Sequence, residues 1–124
     1  MRASALAVLV LGFCGVNSAQ TIRFTPVDRE VVLEREADAP ATDEARYARI
    51  KDLFNQAGCS GSALTEETVT GSQTPNIICR LKGRSEETIV AGAAYGRGTS
   101  KDQSDSWSAA ALLPSLYQGL AKRH

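Results

Sequence analysis

Few side chains in this sequence could do chemistry, and most of them stand apart. Asp105 lies between a polar loop and an apolar-faced run. A carboxylate there can ligate a metal, but without partners it is most simply a helix N-cap. His124 is the only histidine and sits where a chain end frays, so no catalytic duty is expected of it. With that histidine unsuited, a serine triad has no base. Glu66 and Glu67 are adjacent on a strand candidate and so point to opposite faces. They read as a solvated pair, not as an acid/base dyad. Arg80, Lys82 and Arg84 recur with period two and read as a wetted basic stripe. The run Gly96-Arg97-Gly98-Thr99-Ser100-Lys101 has the composition of a phosphate loop. It lacks the G-x-x-x-x-G-K-[ST] spacing and ends several residues before the helix whose N-terminus should cradle phosphate.

The N-terminus reads as an export signal. Arg2 supplies the positive region, an apolar run extends from Ala3 to Val16, and Asn17-Ser18-Ala19 ends in small residues. Residues 1–19 are therefore expected to be a signal peptide and residues 20–124 one small domain. Leu11-Gly12-Phe13-Cys14 is a poor lipoprotein box, because bulky Phe13 stands where a small residue is wanted. No later run reaches membrane-spanning length. The charge balance, 14 basic against 14 acidic residues, argues against nucleic acid as the main partner. The expected location is secreted or periplasmic. In an oxidising compartment Cys59 and Cys79 are expected to be joined, which would stabilise the fold by roughly 3 kcal/mol. Two free buried thiols are the alternative, and a metal pair is a weaker one.

These residues must be carried by a few elements. Thr25-Pro26, followed by Val27, Val31 and Val32, predicts a helix running to about Arg35. A second helix is predicted from Thr42 or Asp43, with Tyr47, Ile50, Leu53, Phe54 and Ala57 at helical spacing and Gly58 as its stop. Residues 63–70 form a weak strand candidate. Asn76–Lys82 alternates with period two, and Glu87–Tyr95 is apolar on both faces. The last two are expected to pair as an antiparallel hairpin. A final helix over Ser106–Lys122 is predicted to bury Ala109, Leu112, Leu113, Leu116, Tyr117 and Leu120, with Pro114 on the opposite side as a kink.

The succession of Pro75-Asn76-Ile77-Ile78-Cys79, a strand ending Gly92-Ala93-Ala94-Tyr95-Gly96, Asp105-Ser106-Trp107-Ser108, and Leu112-Leu113-Pro114-Ser115-Leu116 resembles the N-terminal part of the secreted co-catalytic dizinc exopeptidases, the bacterial leucyl aminopeptidase-like family. The resemblance covers roughly residues 26–122. It implies an α/β fold, the N-terminal part of a mixed-sheet zinc exopeptidase, with two helices, a β-hairpin and a C-terminal helix. It also implies zinc as cofactor and peptides as substrates. The family's strand usually ends Gly-Ala-His-x-Asp, and its helix opens Asp-x-x-Ser-Gly. Here Ala94 and Gly96 occupy the two ligand positions of the strand, and Asp105 aligns with the acid that bridges the metals. A His-x-Asp pair on a strand aims both groups to one face, and nitrogen and carboxylate donors sit about 2.0–2.2 Å from zinc. Alanine and glycine have nothing to offer there.

The expectation is thus a truncated, ligand-poor homologue of a secreted zinc-dependent aminopeptidase, lacking activity as it stands and binding little or no zinc. The alternative is a secreted, non-catalytic protein-binding module. In that reading the strand 87–95, paired on one edge only and free of charge and proline over Thr88–Tyr95, self-associates or captures a partner strand.

Overall fold

The computed structural model describes residues 26–97 and 106–123. In chain order it contains helix α1 (Arg29–Ala37), helix α2 (Asp43–Gln56), a 3₁₀ turn (Gly61–Ala63), strands β1 (Leu64–Glu67) and β2 (Asn76–Cys79), and helix α3 (Trp107–Ala121). It is a mixed α/β structure in which three helices and one two-stranded antiparallel sheet share a small core.

Helix α1 starts three residues later than its proline suggests. Asp28 occupies the N-cap position and its carbonyl accepts the first helical hydrogen bond, from Val32 N at 3.3 Å. Pro26 and Val27 precede the helix. Thr25, the expected cap, lies outside the described residues. Helix α2 matches its sequence signals closely. The Thr42 Oγ1 accepts from Ala45 N at 3.2 Å, and Asp43 and Glu44 fill the first turn beside the helix dipole's positive end. Gly58, at φ +90°, ends it, and Cys59 N returns to Phe54 O at 2.9 Å.

The sheet differs from expectation. β2 ends at Cys79, short of Lys82, and its partner is β1, in the register Leu64 to Cys79 and Glu67 to Asn76. The intervening loop turns at Gly71, at φ +82°, where Ser72 Oγ bonds Thr74 O at 2.7 Å. Residues 87–95 form no strand, so the hairpin expected between 76–82 and 87–95 is absent. The physical reason is composition. Ala91, Gly92, Ala93 and Ala94 bury too little apolar area to offset the entropy of fixing their backbone. The sheet edge on which strand-to-strand association was expected is accordingly not formed by this segment.

Helix α3 buries only part of the stripe its leucines suggest, Leu113 and Tyr117 among them. Trp107, Ala110, Ala111 and Pro114 are buried, whereas Leu116 and Leu120 are 48% and 47% exposed and Ala109 is exposed. Trp107 sets that orientation. Its indole N–H needs an acceptor once buried, and finds Arg35 O of α1 at 2.7 Å. Residues three, four and seven positions on then turn inward with it. Pro114 therefore lies in the packed face, not on the opposite side. The N-cap position falls on Ser106, whose side chain makes no capping bond, and not on Asp105.

The core joins Ile50, Leu53 and Phe54 of α2 to Cys59 and to Trp107, Ala110 and Ala111 of α3. Leu64, Ile77, Leu113 and Tyr117 pack around it. Tyr117 meets Phe54 edge-on, with ring centroids 6.5 Å apart. Cys59 and Cys79 are disulfide-bonded, with Cα atoms 6.1 Å apart, which ties the end of α2 to the end of β2.

Candidate functional site

The segment that follows β2 is held at both ends and free between them. At its start, the Cys59–Cys79 disulfide fixes β2 to α2, and Arg80 N donates to Ala63 O at 2.9 Å. At its end, residues 93–97 dock on the beginning of α2. There Arg46 Nη1 donates to Tyr95 O at 3.3 Å, Arg97 N donates to Asp43 Oδ1 at 2.7 Å, and Arg97 Nη1 donates to Ala41 O at 2.8 Å. The Tyr95 ring lies beside Tyr47, 6.5 Å between centroids, and its hydroxyl donates to Pro75 O at 2.5 Å. Burial, above all, holds the Tyr95 phenol above its ordinary pKa, so it remains a neutral donor.

Between these anchors, residues 81–94 make no hydrogen bond to another described residue. Ile89 and Val90 are 96% and 87% exposed. Arg80, Lys82 and Arg84 are exposed or nearly so at the basic start of the segment, and Glu86 and Glu87 follow them. The result is a tethered backbone whose N–H and C=O groups have no partner among the described residues, two bare β-branched side chains, and a basic flank. Such a segment can accept a ladder of main-chain hydrogen bonds and bury apolar side chains.

The anchor depends on a buried cation. Arg46 is 3% exposed on the same face of α2 as Ile50. Its Nε donates to Pro40 O at 2.9 Å, and its guanidinium lies over the Trp107 ring, 5.6 Å from the centroid. It thus connects the α1–α2 loop, the 93–97 segment and α3. The sequence holds a usable signal for it, since Arg46 continues the Ile50, Leu53, Phe54, Ala57 stripe one turn back. No comparable signal marks Asp43 as the anchor of Arg97.

The residues singled out in the sequence are scattered. Asp105, His124 and residues 98–101 lie outside the described residues. Ala94 is exposed, and Gly96 sits against α2, where a Cβ would come within 3.8 Å of both Asp43 carboxylate oxygens. Glu66 pairs with Lys51 across 2.5 Å, while Glu67 faces solvent on the neighbouring position. Hydrogen bonding to Lys51, then to Tyr47, holds Glu66 below its ordinary pKa, and the same pairing raises Lys51.

Ala94 and Gly96, the positions that the resemblance would match to strand ligands, carry no metal-donor side-chain atoms. Among the described residues no three His, Cys, Asp or Glu side chains come together as a metal-holding group. Among those same residues, no helix is long and apolar enough to cross a membrane. Compared with protein-family models, curated proteins and solved structures, the chain matches none.

Proposed function

We propose that this chain is an exported, non-catalytic binding module whose contact element is the tethered segment 81–92. The observation that carries the proposal is the exposure of Ile89 and Val90, 96% and 87%, on a backbone without hydrogen-bond partners among the described residues. Exposed apolar side chains beside an unpaired main chain gain both buried area and hydrogen bonds when an extended strand lies alongside. The basic flank of Arg80, Lys82 and Arg84 selects a partner strand with acidic residues at one end and alternating apolar residues along the rest. The signal-like N-terminus and the disulfide support a secreted or periplasmic setting. Extended peptides of that pattern should shift the amide resonances of residues 82–92 in a saturable titration, and Val90→Lys should abolish the effect. Saturable shifts confined to the helices, or no binding at high micromolar peptide, would refute the assignment. A second copy of the chain is the competing occupant, and sedimentation across a concentration series separates it from a peptide partner.

A second reading makes the chain a ligand-poor homologue of the secreted zinc-dependent exopeptidases, with zinc and peptide substrates belonging to its relatives. The order of elements supports it: two helices, two short strands, an irregular run ending at Ala94-Tyr95-Gly96, then a helix containing Leu112-Leu113-Pro114-Ser115. In that reading Asp105 is the remaining bridging acid and the present chain binds zinc no better than micromolar. Ala94→His together with Gly96→Asp should tighten zinc binding, the new donors standing beside the Asp43 carboxylate, without creating peptidase activity, since these two changes supply no catalytic base. Stoichiometric zinc retained by the unaltered chain through dialysis would contradict it.

A further inference from the structure

Where Arg35 of α1 and the end of α2 meet the middle of α3, a cleft of about 180 Å³ opens at the surface, lined by Arg35, Leu53, Gln56, Pro114, Ser115 and Gln118 among others. Arg35 is a half-buried cation that makes no ion pair with a described residue. Its Nη1 makes both of its side-chain hydrogen bonds, to Ala111 O at 2.8 Å and Ser115 Oγ at 2.7 Å. The Nε and Nη2 groups have no acceptor among the described residues. A guanidinium carries five N–H donors in a planar fork suited to two parallel bonds with one oxyanion. Gln118, on the same wall, has no side-chain hydrogen bond to a described residue. The fork is held in advance by the two Nη1 bonds, and the Arg35 backbone by its carbonyl, which accepts the Trp107 indole N–H at 2.7 Å.

We propose that this cleft is a binding site for a small carboxylate, with Arg35 as its charged anchor and Gln118 as a neutral donor. An anion seated there supplies the charge partner that the partly buried guanidinium lacks. Burial first, and Arg49 second, make the cationic form of Arg35 costly, against the opposing pull of Glu34. The cleft volume is that of a few water molecules and suits a carboxylate group rather than a drug-sized ligand. The site lies away from segment 81–92 and stands independently of the reading given to it.

The test is a nuclear magnetic resonance titration of the folded chain with sodium acetate at ionic strength held constant with chloride, following the Arg35 Nε–H and Gln118 side-chain amide signals. Parallel arms use a short peptide with a free C-terminus and the same peptide amidated. Saturable shifts at these two groups are expected. Tighter binding of the free-ended peptide than of acetate identifies a chain terminus as the source of the carboxylate. Equal binding identifies a free small acid. Gln118→Glu should weaken binding about tenfold by adding a like charge while leaving the thermal midpoint in place. Arg35→Lys, which keeps the charge but loses the fork, should weaken it by a similar factor. Linear, non-saturating shifts, or undiminished binding by Gln118→Glu, would overturn the proposal even if Arg35→Lys failed to fold.

Discussion

Arg46 and Glu66 show how differently one charged residue can act according to its surroundings. Arg46 is buried with its donors committed to Pro40 O and Tyr95 O and its face on Trp107. Arg46→Ala removes those bonds, leaves two carbonyls to find other partners and opens space beside the indole. The expected cost is about 2–4 kcal/mol by urea denaturation. A change under 0.5 kcal/mol would mean that the residue does not connect these elements. Glu66 is exposed, so its pairing with Lys51 is screened and small. Its sign is nonetheless definite. The folded pKa of Glu66 is depressed, so its contribution is present above the ordinary glutamate pKa and is lost as pH falls through the lower, folded value. Lys51 is raised, so its contribution is present below the ordinary lysine pKa and is lost as pH rises through the higher, folded one. Thermal midpoints of Glu66→Gln should converge with those of the parent at acid pH and in high salt, and fall below them near neutrality in low salt.

At the scale of the element, helix α3 offers a test that opposes its own leucine pattern. Ala111 is 1% exposed against α1 and α2, whereas Leu120 is half in solvent. Ala111→Leu inserts a larger side chain into a filled space and should cost about 1–3 kcal/mol. Leu120→Lys should stay within about 0.5 kcal/mol of the parent. The reverse ranking would mean that the leucine face is the buried one. The segment 81–92 makes the complementary case. Ile89 is 96% exposed, so Ile89→Lys should leave the chemical-denaturation midpoint unchanged, yet reduce any strand-mediated association. A marked loss of stability would show that Ile89 is covered.

At the scale of the molecule, the core is small and the disulfide runs from within it, at Cys59, to its edge at Cys79. Cys59 is fully buried among the core residues, and the bond closes 20 residues of sequence separation between α2 and β2. Reduction, or Cys59→Ala with Cys79→Ala, should lower stability by roughly 2–4 kcal/mol, a large share for a domain of this size. Oxidised and reduced chains with the same urea midpoint would refute this. Without that cross-link the start of segment 81–92 would keep only the Arg80 N to Ala63 O hydrogen bond. The segment and the core are therefore coupled through one covalent bond.

What the sequence determined by itself was local. Helix α2 was readable to within a residue because Thr42, its apolar spacing and Gly58 all act within one or two helical turns. The cysteine pair was readable because cysteines are scarce and the expected export signal leaves only Cys59 and Cys79 to pair. Whether residues 87–95 form a strand was not readable, since a strand exists only if another strand pairs with it. Here β1 takes the place beside β2, and the small side chains of 91–94 leave too little gain to recruit another partner. The buried face of α3 was readable only in part: Leu113 and Tyr117 pack on the core as expected, whereas Ala109, Leu116 and Leu120 do not. Its leucines define the stronger apolar stripe, but one tryptophan with a single buried N–H to satisfy turned the helix toward α1. Hydrogen-bond demand at Trp107 outweighed summed hydrophobicity, and only packing in three dimensions could express that choice.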